Sequence, residues 1–349
     1  MKNNIKNMFF DFNISGYDEN IEEMIKISKT AENSGFDCIW IGEAKHDPFL
    51  RLMLIAEYTK NIKIGTSIAL AFTRSPTTLA CTAWDLQSFS KGRLILGLGS
   101  QVKAHIERRF GIEWKPPAPR MREYILALRA VWDCWQYNKP LNFKGEYYKL
   151  DLMTPFFNPG PIAYPRIPIF IAGVNPIMCR VAGELCDGLH VHPLHSIEYL
   201  RKIVLPSIEK GLKKSGRSRT EIQLSCSVFV ATGKNKEDID KSKELVRDAV
   251  AFYASTPTYR PVFEIHGLIE EAKKLSEYAR QGKWNEMRSL INDEILEKFA
   301  VVGTMVEASY ELKKRYEGIL DRISFYPLPT LPSLEDPIWK EVIRILKKP

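Results

Sequence analysis

Residues 62–100 read IKIGTSIALAFTRSPTTLACTAWDLQSFSKGRLILGLGS, and this stretch decides the fold. An apolar strand over 62–70 leads through a loop at 71–74 into a helix over 75–90. Gly92 stops that helix before a second strand at 93–98, which ends in Gly99 and Ser100. Ser75 is a good N-cap, and Pro76 falls at the one helical position where a missing N–H costs nothing. Leu79, Ala83 and Leu86 recur at spacings of four and three, so one helix face can pack on a sheet. Both strands are apolar almost throughout, the pattern of strands buried on two faces in a parallel sheet covered by helices.

The alternation extends outward from this unit. Upstream, residues 8–12 form a short strand, and Ile21, Met24, Ile25, Ser28 and Ala31 mark a helix that stops at Gly35. Residues 36–41 form the second strand, a loop at 42–48 carries Glu43, Lys45, His46 and Asp47, and a helix follows to about residue 60. Downstream come a polar helical segment with Lys103, His105, Arg108 and Arg109, a proline link at Pro116, Pro117 and Pro119, and an amphipathic helix marked by Met121, Ile125, Leu128, Trp132 and Trp135. Residues 139–166 break the rhythm with a hairpin around Lys144-Gly145 and an irregular Pro/Gly-rich run. The rhythm resumes with a strand at 167–172, a helix capped at Asn175-Pro176 and ended by Gly188, a strand at 189–191 and a helix at 196–214. A strand at 222–231, a helix at about 306–316 and a strand at 321–325 complete it.

Eight strands, each but the last followed by a helix, predict an α/β fold of the (β/α)8 TIM-barrel type, one domain over residues 1–349. Between the seventh and eighth strands lie nearly ninety residues, helical in pattern at 265–281 and 283–299. The reading is a helical insertion over about 234–303 that serves as a lid or an oligomer surface, and a C-terminal extension over 328–349.

Composition bounds the function. Apolar residues make up 45% and charged residues 26% of the chain, values of a globular protein with a full core. The net charge of +8 favours an acidic ligand such as a phosphorylated cofactor, yet Lys-rich runs at 210–219 and 313–315 read as solvated helix faces. No basic stripe is interleaved with aromatics, which argues against nucleic acid. No apolar run is long enough for a membrane span and residues 1–6 lack a leader-type core, so the expected location is cytoplasmic. The six cysteines stand singly with no CxxC pair, which reads as free thiols and gives no metal site.

In such a barrel the chemistry lies where strands end. Glu43 and His46 follow the second strand; Ser100, Gln101, Lys103 and His105 follow the fourth; Gly173, Val174 and Asn175 follow the fifth; His192 and His195 follow the sixth. Histidines there can exchange protons near neutral pH. Each also has a plainer reading: His46 bonded within its own turn, Glu43 capping the next helix, Lys103 and His105 on an exposed helix face, His192 pointing into the barrel. Gly173-Val174-Asn175 is either an anion site at a helix start or an ordinary cap. Gly97-Leu98-Gly99 lacks the third glycine of a dinucleotide fingerprint and reads instead as room for a flat ring or a backbone.

Gly65-Thr66-Ser67-Ile68, Arg74-Ser75-Pro76, residues 92–100, Ala172-Gly173, Cys186-Asp187-Gly188 and Val302-Gly303-Thr304 together resemble the luciferase-like (β/α)8 oxidoreductases, in the branch that uses coenzyme F420. The resemblance implies a non-prolyl cis peptide at Ser67-Ile68 against the cofactor ring, a cofactor phosphate on Gly173, Val174 and Asn175, and Glu43 as the acidic residue near the ring. The flat ring is expected to rest at Gly99 and Ser100, with Gln101 and Lys103 beyond them as further candidates for cofactor contact. The histidine that directly follows the acidic residue in some relatives is Ala44 here, with His46 two residues later. Gln101 and Val102 stand where sugar-phosphate dehydrogenases of this branch carry a glutamate, so that chemistry is not expected. The implied activity is hydride transfer between F420 and a small alcohol, carbonyl, enone or imine substrate, with His46, Glu43 and His105 as catalytic candidates. An FMN-dependent monooxygenase using O₂, or a barrel that binds a cofactor without turnover, are the alternatives. A homodimer or higher homo-oligomer is expected.

Overall fold

The computed structural model describes residues 8–15 and 20–347; residues 1–6, read above for a leader core, and Lys348 and Pro349 lie outside the described residues. The barrel strands are β1 (Phe9–Phe10 with Phe12–Asn13), β2 (Cys38–Ile41), β3 (Lys63–Thr66, resumed at Ala69–Leu70) and β4 (Leu94–Gly99). They continue with β5 (Ile169–Gly173), β6 (Gly188–Val191), β7 (Gln223–Ala231) and β8 (Arg322–Phe325). Neighbours in sequence are neighbours in the sheet, and every pair is parallel. Phe9 and Phe10 register with Arg322 and Ile323 of β8, while Phe12 and Asn13 register with Ile39 and Trp40 of β2. One strand thus bonds both edges, and the sheet closes into the (β/α)8 barrel that the strand count predicts.

Local chemistry sets the helix boundaries. Asn20 caps Ile21–Ser34 by accepting from the N–H groups of Glu22 and Glu23, and Gly35 ends it at φ 92°. Asp47 caps Pro48–Tyr58, and Ser75 caps Pro76–Phe89 by accepting from Thr78 N at 3.1 Å. Pro117 opens the long helix Pro117–Tyr137 from inside the expected proline link. Gly188 opens β6 instead of ending the preceding helix, which stops at Leu185. The hairpin pairs Phe143–Lys144 with Lys149–Leu150, and its turn lies beyond Lys144-Gly145. There the Glu123 carboxylate accepts from the N–H groups of Glu146 and Tyr147 at 2.9 and 2.7 Å.

The N-terminal face of the barrel is held by polar residues, of which Arg93 and Asp187 stand in the resemblance motifs. Asp37, Asp187 and Asp321 stand just before β2, β6 and β8. Their carboxylates accept the backbone N–H of Phe10, Ile169 and Leu224 on the preceding strand, at 2.8, 2.9 and 2.8 Å. Arg93 is buried with its guanidinium bonded to Ser90 O, Thr59 Oγ1 and Ala56 O at 2.9, 2.8 and 2.6 Å, tying two helices to β4. Inside the barrel Cys38, Trp40, Ile95 and Phe170 form the apolar filling. Asp11, between the halves of β1, takes Arg322 at 2.6 Å and Trp40 Nε1 at 2.7 Å, so the closing strands share a buried ion pair.

Beyond the barrel, the stretch after β7 carries helices at Lys236–Ala254, Ile269–Gln281, Trp284–Ser289 and Asp293–Phe299. A short strand, Ala300–Val302, then pairs with the end of β7. The alternation does not end at β8: helix Ile338–Lys347 follows and sets Trp339 against Phe36 and Phe325, each at 5.7 Å between ring centres. Among the described residues no helix is long and apolar enough to cross a membrane. All six cysteines are free thiols, five buried and Cys81 exposed.

Candidate active site at the barrel mouth

The third strand breaks at its rim end. The Ser67–Ile68 peptide is cis, the isomer that the resemblance implies. Ser67 N donates to Ile41 O at 2.8 Å and Glu43 N donates to Ile68 O at 3.0 Å, so the break is bonded to the end of β2. On its other side Ala71 N donates to Gly99 O at 3.0 Å. The room at the two glycines of β4 is taken by the protein itself. A Cβ on Gly97 would lie 1.8 Å from Thr66 O, and one on Gly99 would lie 2.5 Å from Ile68 Cδ1. Gly97 therefore admits a backbone, as one of the two sequence readings has it, and Gly99 admits the side chain of Ile68.

Both oxygens of Glu43 are engaged by the neighbouring loop. Oε2 accepts from Leu70 N at 2.8 Å, and Arg74 Nη1 reaches Oε1 and Oε2 at 3.0 and 2.7 Å. Arg74 Nη2 in turn bonds Asp47 at 2.7 Å, and its guanidinium lies over Phe49. The helix cap expected of Glu43 falls to Asp47 instead. Glu43 thus buttresses the rim where the peptide break sits.

His46 and His105 are exposed, as is Lys103, which faces Glu107 at 3.8 Å on the short helix Lys103–Arg108. Their two segments meet: Arg109 Nη2 donates to Ala44 O at 2.8 Å. Ser100 and Gln101 are half-buried at the end of β4, and Gln101 adopts φ 57° while its Oε1 accepts from Val102 N at 2.9 Å. On the neighbouring strand, Gly173, Val174 and Asn175 form the turn between β5 and helix Pro176–Leu185. No side chain caps that helix, so its first-turn N–H groups have no side-chain acceptor. A glycine rim turn at an uncapped helix start fits a phosphate group.

The sixth-strand histidines divide by position. His190 lies inside the barrel, edge-on to Trp40 at 4.8 Å, with Nε2 buried and unpartnered. His195 is buried behind the rim, with Nε2 2.8 Å from Tyr316 Oη and Nδ1 3.0 Å from the carbonyls of His192 and Pro193. His192 lies at the mouth, where its Nδ1 accepts from Leu194 N at 3.0 Å and its ring meets Tyr259 and Tyr253 at 4.2 and 4.7 Å. Burial pushes the imidazoles of His190 and His192 down to about 3 and that of His195 to about 4. Tyr253 Oη bonds Tyr326 Oη at 2.9 Å, completing an aromatic wall that residue spacing did not reveal, because its members come from the insertion and from the segment after β8. Ser227 Oγ, on β7, is buried and has no partner among the described residues.

A closed parallel (β/α)8 barrel with polar groups gathered at the strand ends of its rim places the chain in the TIM-barrel class. Within that class the chain belongs to the luciferase-like monooxygenase family, whose model matches residues 7–322. It is 46% identical over 292 residues to an uncharacterised protein of Mycobacterium tuberculosis, covering 84% of this chain and 86% of that one. It is 31% identical to the 5,10-methylenetetrahydromethanopterin reductase of Archaeoglobus fulgidus, over 91% of this chain and 94% of that one. Among solved structures, the coenzyme F420 dependent tetrahydromethanopterin reductase of Methanopyrus kandleri superposes with a TM-score of 0.77 at 23% identity, over 97% of each chain.

Proposed function

We propose that the protein is a two-electron oxidoreductase that binds coenzyme F420 in the barrel mouth and exchanges a hydride with a small organic alcohol, carbonyl, enone or imine. The observation that carries this reading is the glycine turn at Gly173, Val174 and Asn175, which ends a barrel strand and opens helix Pro176–Leu185 with no side chain capping it. The relatives named as reductases support it. Gly173, Val174 and Asn175 would hold the phosphate; Ser67, Ile68, Gly99, Ser100, Gln101 and Lys103 would contact the ring; Glu43 would keep the ring wall in place. F420, when bound, supplies a carbon that accepts or donates hydride. His46 or His105, both open to water, would exchange the accompanying proton with solvent.

The test is a titration of the purified protein with F420 and with FMN, followed by fluorescence and visible absorbance. Saturable F420 binding is expected. Tight FMN binding without a response to F420 would overturn the reading in favour of a flavin-dependent monooxygenase, and no binding of either would favour a barrel without turnover.

A further inference from the structure

The rim histidine with the most constrained chemistry is His192, which the function above does not use. Leu194 is fully buried, and its N–H finds its acceptor in His192 Nδ1 at 3.0 Å. Rotating the ring by half a turn would place a carbon there and leave a buried donor unpaired, so Nδ1 is the unprotonated nitrogen and the ring proton sits on Nε2. The ring is fixed on two sides, lying 30° from the plane of Tyr259 and nearly perpendicular to Tyr253. The strand register sets Val191 against Gly173 and against Cys226. One residue further, at the rim, His192 therefore stands between the Val174 turn and Ser227.

The groups around this residue are His195 from its own loop, Tyr253 and Tyr259 against the ring, and Cys226 on β7, whose Sγ lies 3.9 Å from the His192 carbonyl oxygen. Burial keeps the two tyrosines and the cysteine protonated and His195 unprotonated at neutral pH, so none carries a charge. A neutral donor against flat aromatic walls matches a flat, uncharged acceptor.

We propose that His192, through Nε2–H, orients the heteroatom of a planar, uncharged carbonyl, enone or imine substrate at the barrel mouth. This rests on the hydride-transfer reading for its substrate class, while the tautomer does not. Being neutral already, the imidazole acts as a fixed donor and not as the proton source, the role left to the exposed histidines.

Long-range proton–nitrogen correlation spectra of the labelled protein test both parts, with His192 assigned by the signal lost in His192→Asn. The expected result is an Nε2-protonated ring that stays neutral between about pH 5.5 and 8. An Nδ1-protonated ring, or one that titrates in that range, overturns the proposal whatever the cofactor. Cyclohex-2-en-1-one is then added to the F420-loaded protein as the neutral probe, and glucose 6-phosphate as the anionic one. The enone should shift the Nε2–H signal saturably and the sugar phosphate should not; no enone response, or a response to both, overturns the proposal. Two variants separate donor from scaffold. His192→Gln keeps a donor at the reach of Nε2 but loses the acceptor for Leu194, and His192→Asn does the reverse. Weakening of enone affinity by about tenfold in the Asn variant, with the Gln variant closer to the parent, is expected of a hydrogen-bond donor; the opposite order would mark a purely structural histidine. Failure of the parent to bind F420, with the imidazole behaving as expected, would overturn the function and leave the tautomer standing.

Discussion

Arg74 and Glu43 form a fork on the barrel rim, Nη1 of the arginine reaching both carboxylate oxygens at 3.0 and 2.7 Å. Both side chains are largely shielded, 17% and 12% exposed, and the second anchor of the arginine is Asp47. Glu43→Gln leaves the guanidinium with one anionic partner and weakens the bond to Leu70. We expect a loss of about 1–3 kcal/mol of stability in denaturant unfolding. We also expect weaker F420 binding with no new ionisation in the pH profile of turnover. Unchanged stability with a displaced pH profile would show that the carboxylate transfers protons instead.

Gly97 and Gly99 should separate fold from site. A methyl on Gly97 meets a backbone carbonyl that cannot yield, so Gly97→Ala should cost about 3 kcal/mol or more. At Gly99 the obstacle is the flexible end of Ile68. Gly99→Ala should therefore fold with a smaller loss of thermal stability but shift Ile68 and reduce F420 affinity. Equal thermal losses in the two variants would contradict this division.

Two buried neutral histidines and a third at the mouth set a pH dependence. His190 and His192 titrate at about 3 and His195 at about 4 in the folded protein, against about 6.5 in an unfolded chain. Between these values the unfolded chain binds protons that the folded one does not. Stability is thus complete above about pH 6.5 and falls as the pH drops, by up to about 1.4 kcal/mol per pH unit for each histidine. Urea unfolding followed between about pH 5 and 7 should show uptake of more than one proton on unfolding. A flat profile there would mean that these rings are not buried neutral.

His46 and His105 are exposed, and replacing either with alanine should change stability by less than about 0.5 kcal/mol. If one of them exchanges the substrate proton, its alanine variant should lose about 100-fold or more in kcat with F420 affinity retained. Full activity in both variants would leave proton exchange to water.

The quoted unit was legible because its information is local. The cap at Ser75, the proline after it and the apolar periodicity act within one turn of chain, and the structure forms Pro76–Phe89 with that cap. The break in β3 was legible only through resemblance, since nothing in the composition of residues 62–70 separates a continuous strand from an interrupted one. Asp37 and Asp187 illustrate the opposite case. Asp187 stands in a motif that marks the family, yet both carboxylates staple strands on the face away from the mouth. The pairing of Arg74 with Glu43 spans 31 residues and could not be read from spacing.

What the sequence by itself determined is the order and type of the elements, and from their count the barrel, because helix caps, glycine stops and two-sided apolar strands are properties of neighbouring residues. Only the tertiary structure decided which rim groups are free. It tied up Glu43, left His46 and His105 in water, and set His192 against tyrosines that follow it by 61 and 67 positions. The physical reason is that a side chain's protonation and partners depend on burial and on donors from distant strands, which exist only once the sheet has closed.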